Sequence, residues 1–79
     1  MSAPMYLIVG RLRRGGEAVL RTAYSPIAYK AEIAAMTEYR AVTWQERETL
    51  SLALPSLPWL TPPEQQTLAH QLTRTLRLF

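Results

Sequence analysis

Apolar and polar positions divide this chain into an extended N-terminal part and a helical remainder. Residues 5–12 read Met-Tyr-Leu-Ile-Val-Gly-Arg-Leu, an apolar run of strand length, and Ala18 to Tyr24 form a second. Between them, Arg13-Arg14-Gly15-Gly16-Glu17 carries a turn signal. Together they predict an antiparallel β-hairpin over about residues 5–24. A two-residue Gly15-Gly16 loop would place Arg21 on the face of Ile8 and Leu12. A three-residue loop, Arg14-Gly15-Gly16, pairs Leu12 with Ala18 and separates apolar from charged positions better. Its apolar face holds Tyr6, Ile8, Leu12, Ala18, Leu20 and Tyr24. The opposite face holds Arg11, Arg13, Glu17 and Arg21 towards the tip. Gly16 is expected in the left-handed conformation that closes such a loop.

The helical part is set by its start signals. Ser25-Pro26 supplies a capping hydroxyl followed by proline at the first helical position. A helix is predicted from there to about Arg40, over residues 26–40. It is apolar nearly all round: Ala28, Ala31, Ala35 and Tyr39 form one stripe, and Tyr29, Ile33 and Met36 another. Such a helix is expected to pack on more than one side. Thr43-Trp44-Gln45-Glu46 and Thr61-Pro62-Pro63-Glu64 both have the spacing of a capping box. They predict helices over about 44–54, stopped by Pro55, and about 62–78. Leu68, Leu72, Leu76 and Phe79 form the apolar stripe of the last helix. The expected class is α+β: an N-terminal antiparallel β-hairpin followed by three short α-helices, in one domain spanning residues 1–79.

Size changes this picture. A chain of 79 residues without cysteine has neither disulfide nor thiolate–metal site to hold it. A domain this small buries only about 60% of its unfolded surface, so it relies on close packing or on a partner. No run reaches the roughly 20 apolar residues of a membrane span, and a cytoplasmic setting is expected.

Charge adds a direction. Residues 1–21 hold Arg11, Arg13, Arg14 and Arg21 against Glu17 alone, while the five cations and five glutamates of the other residues cancel. The whole net charge of +3 therefore lies on the predicted hairpin. The simplest function is a non-enzymatic protein-binding module: an accessory subunit, an antitoxin, or a phage-type inhibitor of a larger host complex. Arg11, Arg13, Arg14 and Arg21 would steer it to an acidic surface, and apolar helices would dock. Leu68, Leu72, Leu76 and Phe79 are the candidate apolar interface, in its simplest form a homodimer. Packing of that stripe onto the hairpin is the competing arrangement. The alternative function is nucleic-acid binding, with the same four arginines on phosphates or in a groove.

Catalytic chemistry is missing. The chain has one histidine, His70, and no aspartate or cysteine. Glu46 and Glu64 are accounted for as helix caps, and Glu46 and Glu48 do not share a helix face. No enzyme, cofactor or metal site is therefore expected. Gly10, Gly15 and Gly16 have part of a phosphate-loop spacing, but Gly16 and Glu17 stand where its lysine and hydroxyl belong. Pro55-Ser56-Leu57-Pro58 has the minimal spacing of a polyproline ligand, yet Leu57 and Trp59 read as anchors for the connector. That connector is too long for a helix-turn-helix.

Overall fold

Leu7, Ile8 and Val9 are completely buried. Side chains alternate across a strand, so three consecutive buried residues require cover on both faces. The computed structural model, which describes residues 2–79, supplies that cover with three layers. The first strand, β1 (Tyr6–Leu12), lies in the middle of an antiparallel sheet between β2 (Ala18–Ala23) and β3 (Met36–Thr43). Helix α1 (Pro26–Ala34) lies on one face, where Ile8, Val19, Ala23 and Met36 are buried. Helices α2 (Arg47–Ala53) and α3 (Pro62–Leu78) lie on the other, where Leu7 and Val9 meet Leu50, Leu54, Leu68 and Leu72. Each such aliphatic side chain contributes about 1.5–3 kcal/mol through burial.

The α+β class, the N-terminal antiparallel hairpin and the three helices are present, and a third strand joins them. That strand corrects the predicted helix over 26–40, which ends at Ala34. Residues 36–43 read Met-Thr-Glu-Tyr-Arg-Ala-Val-Thr, rich in β-branched and aromatic residues that lose rotamer freedom in a helix. The buried strand β1 also needs a hydrogen-bonding partner along its second edge. Tertiary pairing therefore overrides the four-residue spacing of Ala31, Ala35 and Tyr39. Helix α1 is covered on one side only: Ala28, Tyr29 and Ile33 pack on the sheet, whereas Ile27 is 83% exposed.

The hairpin register differs by one residue from the expected one. Arg11 pairs with Ala18 and Ile8 with Arg21, leaving a four-residue turn, Arg13–Gly16. A slip of one residue exchanges faces, so Val19 and Ala23 join Ile8, while Ala18 and Leu20 join Leu7 and Val9. Arg21 does lie on the Ile8 face, at the sheet's edge beside Glu32 (4.0 Å). Both Gly15 (φ 79°) and Gly16 (φ 70°) adopt the left-handed conformation. Gly10 matters for another reason: a side chain there would run into Met36 Sδ.

The caps separate into two cases. Ser25 Oγ accepts from the Ala28 N–H (3.1 Å), and Thr61 with Glu64 forms a complete capping box. At Thr43 the box does not close. The Thr43 hydroxyl donates to the Glu46 carboxylate (3.0 Å), and residues 44–46 form a 3₁₀ turn before α2 begins at Arg47.

Candidate binding surface

The four hairpin arginines do not form one contact set. Arg11 is in phase with Leu7 and Val9, so it points towards α3. Its guanidinium holds Glu64 through two bonds (2.7 and 3.1 Å) and also donates to the Trp59 and Gly16 carbonyls. Such a fork-to-fork pair fixes geometry as well as charge. Arg11 therefore ties the hairpin to the start of α3 and is not available to a partner. The same bond, with the Thr61 backbone N–H next, lowers the Glu64 carboxyl to about 2. Arg13 reaches the Met36 carbonyl (2.9 Å), bracing the turn against β3 while its charge stays at the surface. Arg14 is exposed and unpaired among the described residues, and Arg21 lies near Glu32.

The apolar stripe also divides. Leu68 and Leu72 are each 1% exposed and belong to the core under the sheet, so the arrangement on the sheet holds and a homodimer through the leucines is corrected. Leu76 packs at the margin of that core. Phe79 stands edge-on to Trp44, with ring centroids 5.3 Å apart. Trp44 and Trp59 are half-buried against the same core. Leu57 is buried between exposed prolines, which anchors the connector. His70 is exposed, and the described residues hold no cluster of three or more potential metal ligands. No helix among them is long and apolar enough to cross a membrane.

What the linear pattern did not reveal is a groove between β2 and α3. Two hollows follow one another along this seam. One, of about 220 Å³, is lined by Ala18, Pro63, Thr67 and Leu68 with Glu17 and Glu64. The other, of about 290 Å³, is lined by Leu20, Gln71, Arg74, Thr75 and Leu78. The Leu12 N–H donates to the Glu17 carbonyl (2.8 Å), and this sets the hydrogen-bonding alternation along the hairpin. The backbone groups of Val19, Arg21 and Ala23 face β1, so those of Ala18, Leu20 and Thr22 face outward along the groove. Thr67, Gln71 and Arg74, with Thr75 and Leu78, flank the buried leucines on α3 at helical spacing. That signal was visible in the sequence only once the leucines were assigned to the core.

A third hollow of about 260 Å³ lies at the turn, lined by Leu12, Arg13, Arg14 and Ala35. It opens at the C-terminal end of α1, where helix carbonyls disfavour an anion.

No protein family, curated protein or solved structure matches this chain.

Proposed function

We propose that this chain is a small, non-enzymatic protein-binding module that takes up an extended, acidic segment of a larger partner along the open edge of β2. An accessory subunit, an antitoxin or an inhibitor of a larger complex would each need such a surface. The observation that carries the reading is the juxtaposition of unpaired β2 backbone with the groove against α3. An added strand gains affinity from main-chain hydrogen bonds and specificity from pockets for alternate side chains. Here those side chains enter beside Leu20 and Leu78. Arg74 lines the groove and Arg14 stands in the turn that precedes Glu17, neither with an ion pair among the described residues, and although Glu17 also lines the groove the hairpin carries the whole net charge of +3. Acidic residues in the ligand are therefore favoured. Division of the hairpin arginines argues against the nucleic-acid alternative, because Arg11 is engaged inside the fold and a tight duplex contact needs many cations.

Selection from a library of extended peptides tests this. The account expects sequences alternating apolar residues with Glu or Asp. Their affinity should fall about tenfold or more in the Arg14→Glu/Arg74→Glu variant, from two charge contacts turned repulsive. Selected peptides that bind this variant as tightly as the wild type would contradict it. So would a DNA or RNA duplex that binds more tightly than any peptide, with a steep salt dependence.

A further inference from the structure

The opposite edge of the sheet has a different character. Thr37, Glu38, Tyr39 and Arg40 are four consecutive exposed residues of β3. The Trp44 N–H donates to the Met5 carbonyl (2.9 Å). This fixes the alternation on β3: the backbone groups of Glu38, Arg40 and Val42 face β1, and those of Tyr39, Ala41 and Thr43 face outward. Among the described residues, no hydrogen bond from outside the sheet reaches the backbone of residues 37–43. Side chains follow the same alternation. Glu38 and Arg40 pair with Arg11 and Val9 and share their face, whereas Tyr39 pairs with Gly10 on the α1 face. Arg11 is engaged with Glu64, and among the described residues neither Glu38 nor Arg40 has an ion-pair partner.

We infer that β3 pairs with β3 of a second copy, antiparallel, about a two-fold axis through Tyr39. The charges single out this register. With Tyr39 on the axis, Tyr39 faces its own counterpart and exchanges both backbone hydrogen bonds. Glu38 then stands directly opposite Arg40 of the other copy, twice over by symmetry. Opposite charges in cross-strand pairs stabilise and like charges repel. Moving the axis to Glu38 sets two glutamates face to face, and moving it to Arg40 sets two arginines face to face. An edge guarded against association usually carries lysines, like charges or a proline. This edge carries Glu-Tyr-Arg, which complements itself under the two-fold symmetry of an isologous dimer. The product is a six-stranded sheet with the two β2 grooves at its outer ends. It does not depend on what those grooves bind.

Sedimentation equilibrium of the full chain tests the pairing. The wild type should associate to a dimer as its concentration rises towards about 1 mM, within the range of a weak strand-edge contact. Glu38→Arg alone and Arg40→Glu alone should each weaken dimerisation about tenfold or more. Mixing these two variants should restore it, because every cross-strand pair is then opposite in sign. The chain lacks cysteine, so Tyr39→Cys introduces a single thiol. It should form an intermolecular disulfide on mild oxidation, since residues facing each other on the axis lie about 5.5 Å apart. Glu38→Cys, offset from its counterpart beyond the roughly 7 Å limit, should not. A wild type that stays monomeric throughout overturns the inference. Variants that dimerise undiminished, or a Glu38→Cys crosslink that forms faster than the Tyr39→Cys one, do so as well.

Discussion

Arg11 follows Leu7 and Val9 on one face of β1, and its guanidinium ends among Glu64, the Trp59 carbonyl and the Gly16 carbonyl. The phase was legible in the sequence, as positions 7, 9 and 11 share a strand face. The acceptor was not, because Glu64 lies 53 residues away. This pair makes stability depend on pH with a definite sign. In the unfolded chain the Glu64 carboxyl takes up its proton near 4.5, whereas in the folded protein it holds out to about 2. Its contribution is complete above about 4.5 and is lost as the pH falls towards 2. Urea midpoints measured across that window should fall more steeply for the wild type than for Glu64→Gln. Gly10 makes a packing prediction on the other face. Gly10→Ala forces a methyl group against Met36 and should cost about 1–3 kcal/mol, a drop of roughly 4–8 °C per kcal/mol in thermal unfolding.

Helix starts were the most legible elements. Ser25-Pro26 and Thr61-Pro62 begin α1 and α3 because a side-chain oxygen satisfies backbone N–H groups that have no partner within the helix. Thr61→Ala should therefore lower stability by about 1 kcal/mol, read by chemical denaturation. Helix ends and strand pairing were less legible, since they depend on distant partners. Residues 36–43 contain a usable helical spacing and a usable strand alternation, and only the unpaired edge of β1 decides between them. The register failed for a related reason. The expected face assignment assumed that one side of the hairpin meets water, whereas β1 is covered on both sides and Arg11 is held half-buried against α3. The leucine stripe of α3 is plain in the sequence, and the sheet is what covers it. Leu72→Ala should cost about 2–5 kcal/mol as a cavity in that core, and Leu72→Asp should abolish folding, with loss of the far-ultraviolet circular dichroism signal.

For the molecule as a whole, two covered faces leave the sheet edges as the places where backbone can still pair. Along β2 the edge borders a groove lined by Arg74 and Glu17 next to the basic turn, and along β3 it presents Glu38 and Arg40 in a self-complementary order. The +3 charge lies on the hairpin whose outer strand borders this groove. Of its four arginines, Arg11 is spent on Glu64 and two backbone carbonyls, and Arg14 stays exposed in the turn. Arg74 was legible only as a cation suited to the end of α3, and its place beside Leu20 is a product of tertiary structure. Residue-resolved amide hydrogen exchange, with and without a selected acidic peptide, tests the central claim most directly. The account predicts that Ala18, Leu20 and Thr22 exchange rapidly in the free protein and become protected on binding, while Val19 and Arg21 are protected throughout. Peptide-induced protection confined to the turn at Arg13–Gly16, or to the exposed face of α1, with Leu20 unchanged, would contradict it.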